Sequence, residues 1–84
     1  MRVTVTFLGP AASFAGRTAA VLEVAAPATV KEILEVAANE CGFRVDPAAW
    51  AVLLDGRGVP PEDWDACTVD QDCQLTVLPM LAGG

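Results

Sequence analysis

Apolar and polar positions alternate from Arg2 to Leu8, with Val3, Val5 and Phe7 on one side and Arg2, Thr4 and Thr6 on the other. A period of two is the mark of a half-buried strand, because successive side chains leave opposite faces of the pleat. Gly9-Pro10 breaks the alternation, and Gly16 closes what reads as a short loop. Thr18 to Ala25 resumes it, setting Ala20, Leu22 and Val24 against Val21 and Glu23. Together these stretches predict a β-hairpin whose connection is longer than a two-residue turn.

The period then changes. Val30, Ile33, Leu34 and Ala37 recur at helical spacing, while Lys31, Glu32, Glu35 and Glu40 point elsewhere. Thr29 followed by Glu32 is a capping box, in which each side chain accepts from the other residue's free backbone N–H. Gly42 stands where a left-handed C-cap is needed, so the helix is predicted over Val30 to Cys41. Trp50 to Leu54 is a short apolar strand ended by the turn signal Asp55-Gly56. Val59-Pro60-Pro61 and the acidic Glu62-Asp63-Trp64-Asp65 read as a loop containing at most one helical turn. A brief strand or turn around Cys67 to Val69 leads through Asp70-Gln71-Asp72 to a last strand, Gln74 to Leu78.

The predicted order is strand, strand, helix, strand, short element, strand. One helix supports one crossover, so the sheet must be mixed rather than doubly wound. The first and last strands then lie side by side, parallel, at its centre. The helix covers one face and buries Val3, Val5, Phe7, Ile33, Leu34, Val52, Leu75 and Val77. This is an α+β, β-grasp arrangement: a mixed sheet of four to five strands under a single main helix. Residues 1–78 form the domain, and residues 79–84 read as a flexible C-terminal tail.

Composition narrows the function. The 84 residues are 54% hydrophobic, enough for one domain with a core of its own. The longest apolar run, Ala48 to Leu54, falls far short of the ~20 residues that span a bilayer. The start of the chain lacks the continuous apolar stretch of a signal peptide, and a soluble cytoplasmic protein is expected. Eleven acids against five bases give a net charge of −6, which disfavours nucleic acid and suits docking onto a basic protein face. Cys41, Cys67 and Cys73 have no paired spacing, and without histidine a zinc site is not expected. They read as small core residues, although Cys67 and Cys73 are near enough in sequence to pair under oxidation. Glu62, Asp63 and Asp65 read as an exposed charged loop rather than a metal or acid–base site. No nucleophile motif or phosphate loop is present, so an independent enzyme is the least favoured reading.

The sequence closes on Gly83-Gly84. At average glycine usage two such residues arise at a terminus in roughly 0.5% of chains. With the β-grasp order and the size, this ending resembles the ubiquitin-like sulfur carriers of the MoaD/ThiS-like family. Asp70-Gln71-Asp72 stands where that family commonly has an Asp-Gly-Asp turn, with Gln71 replacing the glycine. Gln74-Leu75-Thr76-Val77-Leu78-Pro79 matches its last strand, and Met80-Leu81-Ala82-Gly83-Gly84 its tail.

The resemblance implies a carrier and co-substrate rather than a catalyst. The Gly84 carboxylate, with Gly83 before it, would be adenylated by an E1-like enzyme that uses ATP, the carrier itself binding no cofactor. Sulfur from a donor such as a cysteine desulfurase or rhodanese-like protein would turn it into a thiocarboxylate for an acceptor biosynthetic enzyme. Molybdopterin-, thiamin- and cysteine-type pathways all remain open. The alternative is a ubiquitin-like modifier joined through Gly84 to target lysines. A third possibility is a plain interaction module. By alternation, Thr4, Thr6, Leu53, Thr76 and Leu78 face away from the helix. That face, with Leu53 and Leu78 exposed and Met80, Leu81 and Ala82 as apolar anchors on the tail, is the expected partner-binding surface.

Overall fold

The structure, a computed structural model, describes residues 1–80. Strand β1 (Arg2–Phe7) is followed by a short helix α1 (Pro10–Ala15), strand β2 (Ala19–Glu23) and a two-residue strand β3 (Ala28–Thr29). The main helix α2 (Val30–Cys41) leads to β4 (Trp50–Leu54) and β5 (Arg57–Gly58). A single 3-10 turn at Pro61–Asp63, strand β6 (Thr68–Val69) and strand β7 (Cys73–Pro79) complete it. Five strands form one sheet in the order β2-β1-β7-β4-β5, and β3 pairs with β6 in a small second sheet.

The centre is the predicted one: β1 and β7 run parallel, with Val5 beside Leu75 and Phe7 beside Val77. β2 and β4 are antiparallel to these neighbours. The helix-facing side carries Val3, Val5, Phe7, Leu22, Val52, Leu75 and Val77, all buried against Val30, Ile33, Leu34 and Ala37 of α2. The fold is a β-grasp, with a mixed five-stranded sheet and one main helix.

Helix α2 has the predicted ends because both are chemically capped. The Thr29 hydroxyl accepts from the Glu32 backbone N–H at 3.1 Å, and Glu32 Oε1 accepts from the Thr29 N–H at 2.8 Å. Gly42 takes the left-handed conformation, φ 77°, and its N–H reaches the Ala38 carbonyl. Trp64 folds over the core edge, buried, with its indole Nε1–H donating to the Val59 carbonyl at 2.9 Å.

The stretch read as a loop after Gly9-Pro10 is helical instead. Pro10 opens α1, where proline's fixed φ suits the first turn and its missing N–H costs nothing. Gly16, at φ 72°, closes it. Ala11 and Ala15 bury their methyls in the core. The turn Asp55-Gly56 has both residues at positive φ and joins β4 to the short β5 as a tight hairpin. Asp55 also binds across the sheet, its carboxylate accepting from the Gln74 N–H at 2.9 Å. Gln71 needs no glycine-like backbone: among the described residues Asp55 alone combines a side chain with positive φ.

Strand β7 ends one residue later than the predicted Leu78, at Pro79. Pro79 pairs with Trp50 in the sheet, and just beyond it the Met80 N–H donates to the Ala49 carbonyl at 2.8 Å. Strand N–H groups alternate sides, so that of Met80 points toward β4 and the missing one of Pro79 toward β1. β1 has already left the ladder there, which is why proline is tolerated in a central strand.

Candidate functional site

β7 places its even-numbered residues on the face away from α2. Gln74 lies beside Thr4, Thr76 lies between Thr6 and Leu53, and Leu78 is opposite Ala51. Gln74 Nε2 donates to the Thr6 hydroxyl at 3.3 Å, tying the two central strands on this open face. Thr76, Leu53 and Leu78 are thus brought together. Leu53 and Leu78 are half-buried rather than exposed, since each sits between neighbouring strands or against a turn. Met80 continues the same face and is 42% exposed. It borders a shallow, mostly apolar groove of about 390 Å³ formed with Ala51, Leu53, Gly58, Val59 and Pro60. Leu81, Ala82, Gly83 and Gly84 lie outside the described residues.

Two apolar side chains at this end escaped the sequence reading. Leu8, 46% exposed, continues the alternation of Thr4 and Thr6, and its N–H donates to the Val77 carbonyl at 2.9 Å. The signal was present: Leu8 closes the alternating stretch Arg2 to Leu8, just before Gly9 breaks it, on the face of Thr4 and Thr6. Phe14, 66% exposed, projects from α1 and meets the Trp50 ring edge-on, centroids 5.6 Å apart. Trp50 stands beside Pro79 on the helix-facing side, with its Nε1–H on the Arg44 carbonyl at 3.1 Å. The root of the C-terminal segment is therefore flanked by Leu8, Leu78 and Met80 on one side and by Phe14 and Trp50 on the other.

Charge is distributed unevenly. The segments 8–18 and 42–49, which with the end of β7 build this end of the sheet, carry one acid, Asp46, against Arg17 and Arg44. The Asp46 carboxylate is already engaged by the Ala48 N–H at 2.9 Å. The nearest further acid in the chain, Glu40, is on the last turn of α2. Asp55 and Asp72 lie at the opposite end, where β7 begins, and Asp72 accepts from the Arg2 N–H at 2.8 Å.

Other chemistry is sparse. Glu62, Asp63 and Asp65 are exposed, and Asp65 pairs with Lys31 at 3.7 Å. Among the described residues no group of three or more His, Cys, Asp or Glu side chains converges to hold a metal. All three cysteines are free and half-buried. Burial pushes the Cys73 thiol above its ordinary range, helped by the negative charges of Asp55 and Asp72, so it is kept protonated and a poor nucleophile. No described helix is long and apolar enough to cross a membrane.

Comparison with known proteins gives consistent relatives. The sequence model of the ThiS family matches residues 5–84. No curated protein matches the sequence. Among solved structures, small archaeal modifier protein SAMP1 of Haloferax volcanii is similar at TM-score 0.78 and 16% identity, over 100% of both chains. A Pyrococcus furiosus protein assigned as molybdopterin converting factor, subunit 1, gives TM-score 0.76 and 20% identity, over 96% of this chain and 99% of its own. The thiamine biosynthesis protein ThiS of Geobacter metallireducens gives 0.64 and 23%, over 100% of both.

Proposed function

The chain belongs to the ThiS family, a family of small carriers rather than catalysts, and we propose that it is a sulfur carrier acting through the Gly84 carboxylate. The observation that carries this reading is the family match, which runs through the last strand to Gly84 itself.

A carboxylate is a poor electrophile. Transfer of AMP from ATP, with release of pyrophosphate, turns it into an acyl-adenylate with a good leaving group. A persulfide on the donor then attacks the acyl carbon and AMP departs. A thiol cleaves the resulting acyl disulfide, forming a disulfide with the donor sulfur and leaving a thiocarboxylate at Gly84 for an acceptor enzyme of cofactor or metabolite biosynthesis. The activating enzyme supplies ATP chemistry and a donor protein the sulfur. Glycine at 83 and 84 adds no side chain to clash in a narrow channel and leaves the backbone free to turn.

This chain's own part is presentation. Four residues beyond Met80 reach at most about 14 Å when extended. The partner must therefore come up to the sheet end, where Leu8, Leu53, Leu78 and Met80 offer an apolar face with Thr76 among them. Leu81 and Ala82 would line the channel behind the glycines.

Top-down mass spectrometry of the protein from its native cells tests the reading. Sulfur replacing oxygen at Gly84, trapped by a thiol-alkylating reagent, is the expected result. A plain carboxylate that persists after incubation with ATP, an E1-like enzyme and a sulfur donor would sink it. The likeness to SAMP1, named a modifier, favours a second reading, conjugation of Gly84 to lysines. High-mass conjugates that vanish on deletion of Gly84 would select that one.

A further inference from the structure

We propose that Phe14 and Trp50 form a second docking patch, on the helix side of the C-terminal root, for the ATP-dependent enzyme that adenylates Gly84. This rests on the carrier reading above. Phe14 is the most exposed of the large apolar side chains among the described residues, at 66%. The fold does not need it outward, since α1 reaches the core through Ala11 and Ala15. Its ring leans on Trp50 at an interplanar angle of 73°, which holds an exposed aromatic in one place.

The occupant follows from reach. An enzyme that encloses the carboxylate away from water can draw in no more than the ~14 Å beyond Met80. Its channel mouth must then close around the root, and a mouth that surrounds the root meets both sides of the sheet. On the open face it meets Leu8, Leu78 and Met80; on the helix face, Phe14 beside Trp50. Charge adds a constraint. The net charge of −6 suggests a basic partner, yet the loops around the root hold Arg17 and Arg44 against Asp46. The mating rim is therefore apolar and close to neutral, and its grip is insensitive to salt.

The experiment is ATP–pyrophosphate exchange by the adenylating enzyme of the same organism, titrated with wild type, Phe14→Ala and Val21→Ala. Val21, 60% exposed on β2, serves as an apolar control away from the root. Phe14→Ala is expected to raise the half-saturating concentration about tenfold with an unchanged maximal rate, and Val21→Ala to match wild type. The wild-type value should move less than about twofold between 0.1 and 0.4 M NaCl. Far-UV circular dichroism and an unchanged melt show that Phe14→Ala folds, as its exposure leads one to expect. Coincident titrations for Phe14→Ala and wild type overturn the patch while leaving the carrier reading intact; a steep salt dependence overturns the apolar rim. No exchange with wild type defeats the carrier reading and the patch with it. Self-association in sedimentation that Phe14→Ala abolishes makes a second copy the occupant, and also overturns the proposal.

Discussion

Met80 is held to Ala49 by a backbone hydrogen bond of 2.8 Å, just beyond the pairing of Pro79 with Trp50 and the last such bond among the described residues. Its consequence is metric: the distance from the domain to Gly84 is counted from Met80, not from Leu78. Two residues of apparent reach are thereby withdrawn.

Deleting Ala82 removes about 3.5 Å of reach, and misplacement of ~1 Å in an active site can cost on the order of 100-fold. Thiocarboxylate formation is expected to fall at least about tenfold in the deletion. Inserting Gly-Ser after Met80 should leave the maximal rate near wild type. A mass-spectrometric time course with the activating enzyme reads both; equal rates for the deletion and wild type would refute the short-reach account.

Thr29→Ala removes the acceptor for the Glu32 N–H at the start of α2. Loss of such a cap costs about 1 kcal/mol, a fall in Tm of roughly 4–8 °C for a domain of this size. Thermal melts monitored by circular dichroism check it.

Trp64→Phe keeps most of the buried ring but leaves the Val59 carbonyl without its indole donor. A destabilisation of about 1–3 kcal/mol is expected from the unmet acceptor, read as a lower urea midpoint with an unchanged slope. A midpoint equal to wild type would mean that water takes the donor's place.

Cys73 has its thiol pKa raised in the folded protein, chiefly by burial and further by Asp55 and Asp72. Its alkylation by iodoacetamide should lag behind a model thiol and rise only at higher pH. The sign for stability follows. The contribution is fully present below the unfolded thiol pKa and is lost as pH rises through the folded one, because the unfolded chain gives up the proton first. Cys73→Ala should flatten that part of the stability–pH curve.

Much of this was legible in the sequence, for local reasons. α2 has the predicted ends because Thr29, Glu32 and Gly42 mark them chemically. The faces of β1, β4 and β7 follow from strict alternation, so Leu53, Thr76 and Leu78 could be placed on one side. What they touch could not: the covering of Leu53 and Leu78 depends on cross-strand neighbours and the β5 turn. α1 spans six residues, under two turns, too short for a helical period to declare itself. Gly9-Pro10 was also ambiguous, since proline that breaks a strand can equally begin a helix. Phe14 was lost with that helix. β3 and β6 have two residues each and carry no period at all.

The parallel pairing of β1 with β7 has a consequence for biosynthesis. The first strand has its central partner only when the last one arrives, so a contact spanning nearly the whole chain must close before the core exists. Among the described elements β7 is the last to be synthesised. The domain therefore acquires its core only once β7 is in place, and a product truncated within β7 is expected to stay unfolded and open to proteolysis. Folding thus acts as proofreading for the strand that carries the C-terminal segment.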